Sequence, residues 1–360
     1  MSRNLLPLSL TATLLAGTAM AEVPRVAVDI APVHSLVARV MQGVGTPDLI
    51  VPPGASPHEY NLRPSEAAAL QEADVVIWMG EDLTPWLATA MRTLAGDAAV
   101  TALLEADGTV LLPFREDALF EAHSHDHDGH DHGEDHAHDH DHDHAHDHDH
   151  AHDHAHGEDH DHAHEHAHDG DHEEHAEAAA HDHDHSHGDH DPHAWLSPEN
   201  AATWLDVIAA ELSAADPDNA GAYFANAAAA RDDLGALSDE VRGLLDPVRG
   251  GRFVVFHDAY QYFETAFDFP ASGAISLSDA TDPSPARIAE IQSRVAEEGI
   301  DCVLTEPQFN PGVVATVMDG TAAKTAVLDP LGSDLEPGPE LYPQMLRNLA
   351  SSLSGCLARS

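Results

Sequence analysis

Residues 219–245, NAGAYFANAAAARDDLGALSDEVRGLL, read as one unbroken helix, with glycine only at Gly221, Gly235 and Gly243 and no proline. Alanine, leucine and long charged side chains favour that state. At 1.5 Å per residue the helix would be about 40 Å long. Its position decides the architecture, because apolar, β-branched runs bounded by turn residues lie on both sides of it. Residues 26–30, 48–51 and 75–79 read as strands before it, and 253–256, 274–277, 302–305 and 326–328 after it. Helical stretches separate these runs, as a parallel sheet with crossover helices requires.

The expected fold is therefore α/β: two similar lobes, each a parallel sheet flanked by helices, joined by a long rigid linker helix. The lobes echo one another in sequence. Pro64-Ser65 opens a helix running into Ala73-Asp74-Val75-Val76, and residues 283–285 open one running into Ile300-Asp301-Cys302-Val303. The echo is short, and two unrelated helix-strand units would also produce it. A helix between lobes is a stiffer hinge than a pair of strands, so limited domain closure is expected.

Outside this frame lie two segments of another kind. Residues 1–21 read as an export signal, with Arg3 in a short charged start, an apolar stretch over 5–17 and Ala19-Met20-Ala21 as the cleavage site. That apolar stretch is too short to span a bilayer. No cysteine follows the cleavage site to take a lipid, so a free protein of a Gram-negative periplasm is expected. Residues 121–190 alternate His-Asp and His-Ala with almost no large apolar side chain. Such a tract cannot offset its ordering entropy by burial, and disorder is expected. The resulting domain plan is 22–120 and 191–216 for the first lobe, 121–190 as an insertion in it, 217–247 for the linker helix, and 248–360 for the second lobe.

Charge excludes several functions. The formal net charge is −49, and residues 121–191 hold 25 acidic residues with no Lys or Arg. Such a chain repels nucleic acid and anionic membrane and attracts cations. Its two cysteines, Cys302 and Cys356, read as a disulfide in an exported chain. The bridge would tie the last helix to a buried strand and contribute roughly 3–4 kcal/mol in the chain-entropy model.

Of 32 histidines, 28 fall in residues 121–190, leaving His34, His58, His193 and His257. His58 stands in Pro52-Pro53-Gly54-Ala55-Ser56-Pro57-His58-Glu59 after a predicted strand, and ligands of open α/β sheets gather beyond the carboxyl ends of strands. His193 stands where the tract ends and the core-like pattern Ala194-Trp195-Leu196 resumes. His257 closes Phe253-Val254-Val255-Phe256, a run apolar enough to be buried on both faces. His34 reads as a helix cap or surface residue. Three imidazoles brought together in the cleft between the lobes would form a good shell for Zn²⁺. Asp329, at the end of the strand 326–328, would supply the fourth position, with water or Glu59 as alternatives.

Five segments together resemble the zinc branch of the periplasmic metal-binding solute-binding proteins of ABC-type importers. They are Gly54-Ala55-Ser56-Pro57-His58, His193-Ala194-Trp195-Leu196-Ser197-Pro198-Glu199, Phe256-His257-Asp258-Ala259-Tyr260, Glu306-Pro307-Gln308-Phe309 and Leu328-Asp329-Pro330-Leu331-Gly332. The resemblance implies two α/β lobes joined by a long helix with metal between them, and it makes His58, His193 and His257 the ligands. It also implies a histidine-rich insertion before the second ligand and a second-lobe disulfide, here Cys302–Cys356. In some members an acid precedes the first histidine, where this chain has Pro57. The cargo is expected to be zinc, because manganese-binding relatives use more carboxylate and oxygen ligands suit Mn²⁺.

The resemblance further implies a monomer that delivers Zn²⁺ to an ABC-type permease of the inner membrane, with a periplasmic metallochaperone as a further partner. The tract histidines His123, His125, His127, His130, His132, His136, His138, His140, His142, His144, His146, His148, His150, His152, His154 and His156 are expected to capture zinc weakly. With an imidazole pKa of about 6.5, that capture weakens below about pH 6. Three histidines and a water also describe a catalytic zinc. No HExxH helix or triad-type nucleophile is visible, however, and Glu306 is the sole attractive base, so no enzyme is expected. A zinc chaperone or store without a permease is the alternative.

Overall fold

The structure, a computed structural model, describes residues 23–115, 190–276 and 283–358. The export-signal reading and the sixteen tract histidines named above lie outside the described residues. No helix among the described residues is long and apolar enough to cross a membrane.

The first sheet is built from β1 (Val26–Val28), β2 (Asp48–Leu49), β3 (Val75–Trp78) and β4 (Ala99–Ala102), with α1 (Ala31–Val40), α2 (Pro64–Glu72) and α3 (Pro85–Leu94) between successive strands. Its order is β2-β1-β3-β4, all parallel. After the insertion the chain runs through α4 (Pro198–Ala215) and α5 (Ala220–Leu245). The start of α4 is set locally: Ser197 Oγ accepts from Asn200 N, and Pro198 occupies the first turn, where its missing N–H costs nothing.

Beyond α5 comes a second sheet of β5 (Phe253–His257), β6 (Gly273–Ser276), β7 (Cys302–Thr305) and β8 (Lys324–Val327). Helices α6 (Gln261–Phe267), α7 (Pro285–Glu297) and α8 (Pro311–Met318) connect these strands, and α9 (Leu341–Leu357) follows. The order β6-β5-β7-β8, again all parallel, repeats the first sheet position for position.

The sequence echo has an atomic counterpart. In the first lobe Asp74 N donates to Arg25 O and Asp74 Oδ2 accepts from Arg25 N, both at 2.8 Å. In the second, Asp301 N donates to Arg252 O at 2.9 Å and Asp301 Oδ2 accepts from Arg252 N at 3.1 Å. Each aspartate clamps the start of one central strand to the next, so the short repeat marks a shared structural device.

Helix α5 buries Tyr223, Ala227, Ala230, Leu234, Leu237, Val241 and Leu245 along one stripe, the three-and-four spacing of a helix with one apolar face. The stripe packs against α4, α1 and α9, and a continuous apolar core runs through these helices and both sheets. One strand, β4, has no counterpart among the predicted strands: it lies within the alanine-rich apolar run 98–104 and is an edge strand whose first two residues are exposed. Helix α9 also departs from expectation, since it serves both lobes. Its Tyr342 reaches the first lobe twice: the backbone N donates to Ser35 Oγ of α1 and the hydroxyl donates to Trp195 O. A disulfide joins Cys302 of β7 to Cys356 of α9.

Candidate metal centre

His58, His193 and His257 come from three separate segments and meet. The ring centres of His58 and His193 lie 5.4 Å apart, and those of His193 and His257 lie 5.3 Å apart. Two imidazoles bound through nitrogen to one tetrahedral ion, with bonds of about 2.0–2.1 Å, have ring centres roughly 5 Å apart. The three rings line a space of about 20 Å³ together with Ser56, Pro57, Trp195, Glu306, Gln308, Phe309, Pro330 and Leu331. That volume suits a metal ion with at most a small ligand, well short of an organic ligand.

Each histidine is held by its own local device. The loop carrying His58 turns at Gly54, whose φ of +81° is open to glycine at little cost. Trp86 of α3 pins it by donating from Nε1 to Pro57 O at 2.7 Å. His193 caps the short 3₁₀ turn Ala194–Leu196. Its backbone N and its Nδ1 both meet Asp191 Oδ1, at 3.0 and 2.7 Å. His257 is the last residue of β5, and its backbone N and Nδ1 both meet Glu306 Oε1, at 3.3 and 2.7 Å.

Lobe one and lobe two thus use the same arrangement: one carboxylate oxygen takes the main-chain and ring N–H of the same histidine. A carboxylate on Nδ1–H sets the tautomer, keeps the lone pair on Nε2 and makes the ring a stronger metal ligand. Both carboxyl groups are buried. Burial pushes Asp191 up to about 7 against the pull of His193, Arg115 and the neighbouring imidazoles, and it raises Glu306 against the pull of His257.

The residues flanking the insertion form part of the same site. Pro113 and His190 make an antiparallel bridge, and Asp191 N donates to Leu112 O at 2.9 Å. Tyr262 of α6 ties this stem to the second lobe, accepting from Leu112 N at 2.9 Å and donating to Asp191 O at 2.8 Å. Arg115 extends the tie with a fork of hydrogen bonds to Asp258 and to Glu264. Burial works against its charge, but Glu264 and Asp258 hold the guanidinium above its usual pKa, while burial raises Asp258 to about 6 despite Arg115.

Asp329 and Glu59 are not among the residues that line this space, and His34 is buried in α1. Asp329 does not line the space: its Oδ1 accepts from Leu331 N and Gly332 N, both at 3.0 Å, and its Oδ2 from Ser333 N and Oγ, both at 2.6 Å. The carboxylate is spent on building a turn that presents Pro330 and Leu331 to the space instead. Glu59 is exposed and likewise not part of the lining. His34 is buried within α1, with Nε2 3.1 Å from Pro47 O and its pKa lowered by burial, so it is neither a cap nor a surface residue. Glu306, weighed as a base, instead orients His257. Asp191 carries the one sequence signal available for these supports, since Asp-x-His is a spacing at which a carboxylate can turn back onto a following imidazole.

Comparison with known proteins sets this geometry in context. The family model described as zinc-uptake complex component A, periplasmic, matches residues 26–356. A high-affinity zinc uptake system protein ZnuA of Brucella suis biovar 1 (strain 1330) is 44% identical over 361 residues, which covers 99% of this chain and 100% of the relative. Its counterpart in Paracoccus denitrificans (strain Pd 1222) is 43% identical over 356 residues, with 98% of each chain covered. A crystal structure of ZnuA aligns with a TM-score of 0.67 at 19% identity, covering 94% of this chain and 100% of that one, a likeness of fold.

Proposed function

The chain belongs to the family of periplasmic zinc-uptake complex component A proteins, and from that membership we propose that it binds one Zn²⁺ ion through His58, His193 and His257 and delivers it to an ABC-type permease. The family is one of transport components, so the three-histidine shell is read as a carrier site and not as a catalytic one. The observation that carries the reading is the pair of ring separations, 5.4 and 5.3 Å, which match imidazoles sharing one tetrahedral ion. The two carboxylate-backed rings and the small volume support it further, since they suit a bare ion better than a chelated one.

The histidine-rich tract acts as a weak collector that raises the zinc concentration near the tight site, an effective-concentration effect that falls with linker length. The protein works as a monomer in the periplasm, and a metallochaperone is a candidate supplier. Replacing His58, His193 or His257 by Ala in a tract-deleted background should weaken tight zinc binding by orders of magnitude in chelator competition. Full affinity in two of the three variants would sink the shell. Growth under zinc limitation without this protein separates import from storage: normal growth would favour a store.

A further inference from the structure

We infer that Gln308 holds the fourth zinc ligand, a metal-bound water, by hydrogen bonds from its side-chain amide. The inference rests on the three-histidine site proposed above.

Two protein carboxylates within reach by sequence are disqualified by the structure, Asp329 because its oxygens build a turn and Glu59 because it is exposed and off the lining. Three imidazoles leave one tetrahedral position, and a water fills such a position in open zinc sites. Gln308 lines the same space, and its Oε1 and Nε2 are both buried with no hydrogen-bond partner among the described residues. A buried polar atom left unsatisfied is costly, and an apolar side chain would avoid the cost. The amide is kept where a polar partner arrives with the cargo.

A chemical match supports the assignment. Zinc lowers the pKa of its bound water, so the fourth ligand is either water, which donates, or hydroxide, which accepts. An amide serves both: Oε1 accepts from the water, and Nε2 donates to the hydroxide. Phe309, whose ring lies 5.3 Å from that of His257 and stacks on Phe256 at 4.2 Å, anchors the segment that carries Gln308. Gln308 is thus a positioning residue for the coordinated water, with no direct bond to the metal.

The test uses Gln308→Met, which keeps length without polarity, and Gln308→Glu, which restores an acceptor. Zinc affinity is read by chelator competition, and the visible spectrum of the Co²⁺ form is titrated with pH to follow ionisation of the bound water. Gln308→Met should lose about tenfold in zinc affinity, the low end for groups that support a metal shell, and shift the midpoint of the Co²⁺ titration. Gln308→Glu should recover the affinity and shift the midpoint upward, because a carboxylate accepts from water and repels hydroxide. His257→Ala runs alongside. Unchanged affinity and midpoint in Gln308→Met, with binding lost in His257→Ala, would overturn the role of Gln308 alone. Full affinity in His257→Ala would overturn the three-histidine site, and this inference with it.

Discussion

Asp191→Asn removes one charge from the metal centre and keeps its shape. Asp191 is 2% exposed, and its Oδ1 takes both the backbone N–H and the Nδ1 of His193. The asparagine Oδ1 can accept both bonds, so the ring stays oriented. What is lost is the negative charge that makes the imidazole a better electron donor. Groups that support a ligating histidine are worth about 10–100-fold in metal affinity, or roughly 1.4–2.7 kcal/mol. The isosteric change belongs at the low end, and Asp191→Ala, which drops both bonds, at the high end.

The pH dependence fixes the sign. Burial holds the Asp191 carboxyl at about 7 without metal, and a nearby dication favours its ionised form, so binding zinc below that pH must expel the proton. The advantage of wild type over Asp191→Asn is therefore fully present above about pH 7 and shrinks as pH falls through it. Protonation of His58 and His257 is largely common to both proteins, whereas the Asp191 charge favours protonation of His193 in wild type, which narrows the ratio further as pH falls. Chelator competition on the tract-deleted proteins between about pH 6 and 8 reads that ratio directly. Equal affinities at the alkaline end, or a ratio that grows on acidification, would refute the reasoning.

Two further outcomes concern stability. Arg115→Met leaves Asp258 and Glu264, each buried, without their cation, and should cost about 3–5 kcal/mol at neutral pH in denaturant unfolding. Since the folded pKa of Asp258 is already raised to about 6, that deficit should shrink as pH falls towards the unfolded carboxylate value, where the proton is taken up on both sides. On α5, Gly235 is exposed and a methyl group there would meet nothing within 4 Å. Gly235→Ala should stabilise by about 0.8–1 kcal/mol, and an unchanged or lowered midpoint of thermal unfolding would count against an unstrained helical conformation at that position.

How much of this was legible beforehand depends on range along the chain. Strands buried on both faces, such as 253–257 and 302–305, announce themselves as apolar runs, and α5 does so through composition; β4, whose run is mostly alanine with little strand preference, does not. His58, His193 and His257 could be singled out because each stands at a break between patterns. Their supports could not. Glu306 is 49 residues from His257, and an isolated glutamate in a sequence looks the same whether it orients a ring or faces solvent. Asp329 is the opposite case: its place after a strand is legible, but the four donors to its oxygens lie in the backbone and hydroxyl of the residues just after it, and their geometry is invisible until the turn is folded.

By itself the sequence determined the class of the protein: two α/β lobes about a helix, three histidines set apart from 28 others, and a charge suited to cations. These properties are local, since hydrophobic periodicity, helix composition and histidine spacing are carried by neighbours along the chain. Tertiary structure alone decided which groups surround the three histidines, pairing Asp191 with His193 and Glu306 with His257, engaging Asp329 in a turn and placing Gln308 on the same lining. Such choices depend on side chains far apart in sequence meeting at distances of a few ångströms in a buried space, where an unpaired charge or amide is too costly to leave to chance.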